Sequence, residues 1–292
     1  MEKKHAFLIM AHNDIYCFSK LIDLLDDERN DIFVHIDKKV DIKPFKQVNH
    51  NKSNIYFTER IEDRWGDISL VKTEYILLKA AYNNNQSYSY YHLISGVDLP
   101  LKTQDQLHDF FDKYQGKEFV GLAAPFSKEA EKRVKYHRLV RYHRSPYLVL
   151  RIADKVLDRL FVQVQRLLHL ERKYDEIFTM GPQWFSITED LVKYVLDDEE
   201  KVMDFCSHST CSDEVFLPTL VRNSSFKDRI YNEEQYASCL REIDFKRGNP
   251  WTWRNDDYEH LIHSDRMFAR KFSSAIDKTI IDRIYDYLKT KS

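Results

Sequence analysis

The opening of the chain constrains its fold more than any other stretch. "HAFLIMAH" is a continuous apolar run of strand length, and "DIYCFSKLIDLLDD" follows with Ile15, Phe18, Leu21, Ile22 and Leu25 at helical spacing. "DIFVHIDKK" is then a second strand of the fully buried kind. A strand, a helix and a strand in so few residues make a βαβ unit, whose strands run parallel with the helix crossing over. "SNIYFTE" reads as a third strand, "SLVKTEYILLKAAYNN" as a second amphipathic helix and "SYYHLISG" as a fourth strand. The first 121 residues therefore predict an open, mostly parallel α/β sheet.

In such sheets ligands bind outside the carboxyl ends of the strands. Those ends are Ala11-His12-Asn13, His35-Ile36-Asp37 and Gly96-Val97-Asp98. Asp98 is delivered there between apolar strand residues and the turn expected at Leu-Pro-Leu-Lys-Thr, where an Asp also serves as a turn or helix cap. Packing or capping is the ordinary role of a lone His12 or His35.

Residues 128–173 differ in kind, with 13 Lys/Arg against 5 Asp/Glu in a chain whose total is −2. Within them Val156, Leu157, Leu160, Phe161, Val164, Leu167 and Leu168 form one helical stripe, with Arg and Lys expected opposite. Two readings follow: a solvated helix covering the sheet, or a basic face meeting an anionic membrane or polymer. The last third resumes with the strand "GPQWFSIT" and a helix "EDLVKYVLDDEEKVMDF". In "SDEVFLPTLVRNS" Ser212 is placed as an N-cap, with Asp213 and Glu214 in a first turn where the helix dipole favours a carboxylate.

No linker, repeat or low-complexity tract interrupts the chain, so a single domain over 1–292 is expected. Its parts are a nucleotide-sugar-binding half at 1–121, a basic helical insertion at 122–175 and an acceptor and catalytic half at 176–292. No run reaches a membrane span of ~18 apolar residues, and "MEKKHAFLIMAHND" turns polar too early for a signal peptide. The expectation is a soluble cytoplasmic protein, with peripheral attachment at the inner face of a membrane through the basic segment. Four scattered cysteines, without a CxxC pair, read as reduced thiols rather than a metal site.

The sequence has no G-x-G-x-x-G, Walker A, G-x-S-x-G or H-E-x-x-H motif, which weighs against dehydrogenase, P-loop and serine-hydrolase chemistry. It also has no Asp-x-Asp, the pair through which many nucleotide-sugar enzymes hold a divalent metal on the diphosphate. A diphosphate bound here would need side-chain cations, and "SDRMFARKFS" offers Arg266, Arg270 and Lys271. The acidic remainder and the lack of a recognition motif argue against a nucleic-acid binder.

"FLIMAH", "VHIDKK", "RWGDISLVKTEYILLKAA", "YYHLISGVDLPLKTQDQL", "GPQWFSIT", "SDEVFLPTLVRNSSF", "LREIDF" and "MFARKFSSAID", in that order, resemble the core-2/I-branching N-acetylglucosaminyltransferase and xylosyltransferase family, glycosyltransferase family 14. The resemblance spans nearly the whole chain except about residues 122–175. It implies a GT-A-type fold and an inverting, metal-independent transfer from a UDP-sugar, forming a β-linkage to a hydroxyl of a glycan or lipid-linked saccharide. It places the nucleotide near His12, His35 and Asp37, the aromatic-Gly stretch at Trp65 and Gly66, and the diphosphate on Lys271 with Arg270. A second arginine maps to Arg241 or Arg254. The base is Glu214 by the N-acetylglucosaminyltransferase branch, or Asp98 by the xylosyltransferase branch. Trp184, Trp251 and Trp253 are candidates for stacking on sugar, with core packing as the ordinary alternative. An idle sugar- or nucleotide-binding domain on the same fold is the competing function.

Overall fold

A computed structural model of the protein describes residues 3–123, 127–139, 147–232 and 237–291. The expected basic segment is therefore seen without 124–126 and 140–146. Six strands form the main sheet: β1 (Lys4–Ala11), β2 (Asn30–Ile36), β3 (Asn54–Phe57), β4 (Tyr88–Ser95), β6 (Phe119–Val120) and β7 (Phe185–Thr188), in spatial order β3-β2-β1-β4-β7-β6. The first four in that order are parallel, and β7 and β6 each join antiparallel. A second sheet carries β5 (Asp98–Pro100), β8 (Arg241–Ile243) and β9 (Phe268–Arg270) in order β5-β9-β8. The turn expected at residues 99–103 is thus corrected at its start: Asp98-Leu99-Pro100 is a short strand, because β9 supplies a partner that local sequence does not reveal.

The unbroken apolar run of β1 follows from burial on both faces. Phe7, Ile9 and Ala11 enter one core with helices α1 (Ile15–Leu25), α4 (Gln104–Lys113) and α11 (Lys278–Lys289). Ala6, Leu8 and Met10 enter the other with α3 (Ser69–Tyr82), α7 (Glu189–Asp197) and α9 (Phe216–Arg222). Short α2 (Lys43–Lys46) and α10 (Tyr258–Ile262) close loops, while α5 (Lys128–Val134) and α6 (Leu148–Leu167) make up the basic segment. Local signals set the helix starts: Asp14 accepts from the Cys17 N–H, and Thr103 with Gln106 forms a capping box.

Three expectations change in the last two thirds. The helix read over residues 189–205 is two, α7 and α8 (Glu199–Cys206), divided at Asp198. Ser212 is no α-helical cap: it opens a 3₁₀ turn at Ser212–Glu214, its buried hydroxyl caps no helix N–H, and α9 begins only at Phe216. Glu214 is therefore held by a tight turn and not by an α-helical first turn. In α6 the inward side consists of Asp154, Asp158, Val162 and Gln165, so the predicted apolar stripe points away from the sheet.

The chain passes from β1 outward to β2 and β3, then returns to β4 on the other side of β1. The β1/β4 boundary is the topological switch point where a parallel sheet opens its crevice. Gly96 makes this junction close: a Cβ there would lie 2.6 Å from that of Ala11.

Beneath the sheet His5, His92 and His108 share an interior cluster. His5 and His108 stack at 4.1 Å, His92 Nε2 lies 3.1 Å from His5 Nδ1, and His108 Nε2 lies 3.0 Å from Asn30 Oδ1. Desolvation lowers all three; repulsion from neighbouring histidines adds to it for His5 and His92, and the Arg29 charge adds to it for His108, which is brought to about 4. A depressed folded value stabilises the fold above the unfolded value of 6.5 and loses that contribution as pH falls through about 4. Buried Glu118, pushed up to about 7 mainly by desolvation, works in the opposite direction, so a mutant difference is more diagnostic than total stability. The destabilisation caused by His108→Gln should be largest above pH 6.5 and shrink by ~1.4 kcal/mol per pH unit down to about 4. Urea unfolding at a series of pH values measures this; a pH-independent penalty contradicts a neutral buried His108.

Candidate active site

The end of β1 leaves His12 and Asn13 exposed at the switch point. The end of β2 leaves Asp37, whose N–H donates to the Ala11 carbonyl at 3.0 Å and whose carboxylate pairs with Lys39 Nζ at 3.1 Å. Arg60 fixes the loop behind it, donating to the carbonyls of Ile36, Asp37 and Val40. Beyond β4, Asp98 is fully buried. One of its oxygens accepts from Ser95 N–H at 2.8 Å and the other from Arg270 Nη1 at 2.8 Å. Burial raises the Asp98 pKa, and the Arg270 charge is the first influence opposing that rise. Arg270 faces Asp98 across the antiparallel β5–β9 pair, and its guanidinium lies 4.2 Å over the Trp184 ring. Lys271 follows directly.

These groups share one electrostatic field. Desolvation lowers the His12 pKa, Asp37 opposes, and Arg270, Lys39 and Lys271 add to the lowering. His12, Asp37, Asp98, Arg270 and Lys271, expected from distant parts of the sequence, therefore meet at the carboxyl ends of β1, β2 and β4. Lys39 joins them; it stands in the quoted "VHIDKK", of which only His35 and Asp37 were expected at the site.

The opposite side is acidic. The Glu214 side chain is 41% exposed and accepts from Arg133 Nη1 at 2.7 Å, while its carbonyl accepts from Gly181 N–H at 2.9 Å. Gly66, at φ +77°, gives its carbonyl to Cys211 N–H at 2.9 Å, which lays the Trp65–Gly66 loop against the turn carrying Glu214. Trp65 is 46% exposed there. Beneath lie buried Asp213 and Glu74. Asp213 is pushed up to about 7, first by burial and then by Glu214, and Glu74 well above its usual range, first by burial and then by Asp213. Gln183 joins the two sides, donating to Glu74 Oε1 at 2.9 Å and lying 3.5 Å from Met10 Sδ. Four residues, 181–184, thus run from the Glu214 turn to the Arg270 guanidinium, a backbone span of at most roughly 10 Å.

Other expected residues are placed elsewhere. His35 is buried and lowered to about 4, chiefly by desolvation. Its Nε2 accepts from Ile61 N–H at 3.2 Å, so it supports the 58–66 loop and does not face a ligand. Arg241 is buried and donates to Ser186 Oγ and to the carbonyls of Leu93, Phe185 and Cys239, which corrects the idea of a diphosphate cation: it ties β4, β7 and β8 together behind Asp98. Trp253 has no exposed surface and cannot stack on sugar. Trp184 is covered by Arg270. Trp251 donates to Asp257 and lies 5.0 Å beneath exposed Arg254, so the ring and the cation occupy each other. Sequence reasoning missed Gln183, Arg133 and Glu74; Gln183 and Glu74 stood inside quoted motifs, and no local pattern marks Arg133. Among the described residues, no group of three or more His, Cys, Asp or Glu could hold a metal ion.

A family model, Core-2/I-Branching enzyme, matches residues 5–265. The chain belongs to this family, glycosyltransferase family 14. The match ends before Arg270 and Lys271. Similar proteins include human xylosyltransferase 1, 23% identical over 283 residues that cover 88% of this chain, and Drosophila melanogaster xylosyltransferase oxt, 22% identical over 285 residues with the same coverage. The alignments cover 27% and 30% of those proteins, so the chain spans less than a third of their length. Mouse xyloside xylosyltransferase 1 superposes over 92% of this chain and 97% of its own at 10% identity, with a TM-score of 0.34, too slight a likeness to bear on the site.

The Asp98–Arg270 pair makes a specific demand. Arg270→Met leaves a fully buried carboxylate without its cation and should cost about 3–5 kcal/mol in chemical denaturation. Adding Asp98→Asn should recover more than half of that loss. Two independent, additive penalties would contradict a coupled pair.

Proposed function

We propose that this chain is a GT-A-type, inverting glycosyltransferase that moves a sugar from a UDP-sugar to a hydroxyl of a glycan or lipid-linked saccharide, using side-chain cations in place of a metal ion. One observation supports this most: Arg270 and Lys271 stand at the switch point beside His12 and Asp37, with Glu214 across the four-residue span 181–184. The names of the similar proteins put UDP-xylose first among donors to try, with UDP-N-acetylglucosamine next.

In this reading the nucleotide lies along the ends of β1 and β2. The Arg270 guanidinium has five N–H donors and the Asp98 bond uses one, so others can face phosphate oxygens. The acceptor oxygen attacks the anomeric carbon as the bond from that carbon to the diphosphate breaks, and its electron pair leaves with UDP. Glu214 takes the acceptor proton. The cations stabilise the charge growing on the diphosphate without having to reorganise. Asp98 is the weaker candidate for base, because both its oxygens are engaged and neither is exposed. Its role is to hold Arg270.

Glu214→Gln should lower turnover by ~10²–10⁴ while UDP affinity stays within about twofold, since the amide keeps the shape but accepts no proton. Lys271→Ala should instead weaken UDP-sugar binding by ~1.5–3 kcal/mol. UDP release measured in EDTA with each donor and variant tests the set. Normal turnover in Glu214→Gln with an inactive Asp98→Asn would exchange the two carboxylates, and activity restored only by added Mn²⁺ would refute a cation-only site.

A further inference from the structure

The helix α6 is turned inside out relative to an ordinary surface helix, which buries its apolar stripe. Its inward side is polar apart from Val162. Asp158 accepts from Leu139 N–H at 2.9 Å and pairs with Arg138 at 2.7 Å, and Gln165 exchanges hydrogen bonds with the His137 backbone at 2.9 and 2.8 Å. These bonds fix the rotation of the helix about its own axis. They leave Val149, Ile152, Val156, Leu160, Val164 and Leu167 between 49% and 79% exposed. At helical spacing these six occupy about 120° of arc along about 30 Å of helix, interrupted only by Gln163. Nothing among the described residues covers them.

Charge identifies the occupant. Arg151, Lys155, Arg159 and Arg166 are all exposed, and Lys155, Arg159 and Arg166 share the flank beside the apolar arc with Arg151 further round, whereas both acidic residues of α6, Asp154 and Asp158, are buried. The exposed surface of α6 is therefore apolar and cationic with no carboxylate. A second copy meeting it through the same helix would offer those four cations no counter-charge. A bilayer rich in anionic lipid offers phosphates to the flank and acyl chains to the stripe, and long basic side chains reach headgroups while their stems stay in the apolar layer. We propose that α6 lies in the plane of an anionic membrane as a peripheral anchor. No helix of the described residues is long and apolar enough to cross a membrane, so the contact is with one leaflet. Anchoring stands apart from the transferase reading but fits a lipid-linked acceptor.

Flotation of the full chain with vesicles tests it. Phosphatidylcholine vesicles containing phosphatidylglycerol should carry the protein at low ionic strength, and pure phosphatidylcholine vesicles should not. The double variant Leu160→Glu, Leu167→Glu should lower the bound fraction at least about tenfold, because burying one leucine side chain is worth that much. Both positions are solvent-facing, so its urea unfolding midpoint and its turnover on a soluble acceptor should match the parent. Replacing Lys155 and Arg159 by Gln should sharply reduce the preference for the anionic lipid. Equal retention by both vesicle types, retention by neither, or a dimer in light scattering that the double variant dissolves would each overturn the assignment.

Discussion

Asp98 places a carboxylate where water does not reach, and an isolated ion there costs several kcal/mol even after the protein relaxes. The surroundings are arranged to offset that cost. Ser95 N–H and Arg270 each engage one oxygen, and Arg241, itself buried, contributes charge from behind. The same bonds align β5 with β9 and seat the Arg270 guanidinium on Trp184, so a demand for charge balance in the interior fixes a cation at the sheet's switch point. Lys271 is positioned by being its neighbour.

The acidic side is organised by different means. Glu214 is not presented by an α-helix dipole but by a 3₁₀ turn that backbone hydrogen bonds tie to Gly66 and Gly181. Its partner Arg133 comes from α5, in the basic segment where the resemblance lapses. The segment thus serves two ends, with α5 bracing the Glu214 turn and α6 turned outward. Gln183 couples the halves by bonding to Glu74 while touching Met10 at the end of β1. Small movements of the 181–184 span would shift acid and cations relative to each other.

The sheet was legible in the sequence because strands buried on both faces leave long apolar runs and the intervening helices carry clean periodicity. The switch point was legible too, since it depends only on strand order and on polar residues at strand ends. Three kinds of information were not. A short strand such as β5 exists only through its pairing with distant β9, so Asp98-Leu99-Pro100 looks like a turn. Burial of a polar residue is invisible locally: His35, Arg241 and Trp253 have the chemistry of a site but serve the interior. The orientation of α6 is set by Asp158 and Gln165 bonding to a neighbouring backbone, and a stripe pattern alone carries no sign for inward or outward.

A crystal structure with UDP, grown in the presence of a chelator, tests the central arrangement most directly. The geometry predicts the uracil and ribose along the ends of β1 and β2 near His12 and Asp37, and the diphosphate within hydrogen-bonding distance of Arg270 or Lys271 while the Asp98–Arg270 bond persists. A nucleotide bound away from the β1/β4 boundary, or a diphosphate that neither cation touches, would contradict it.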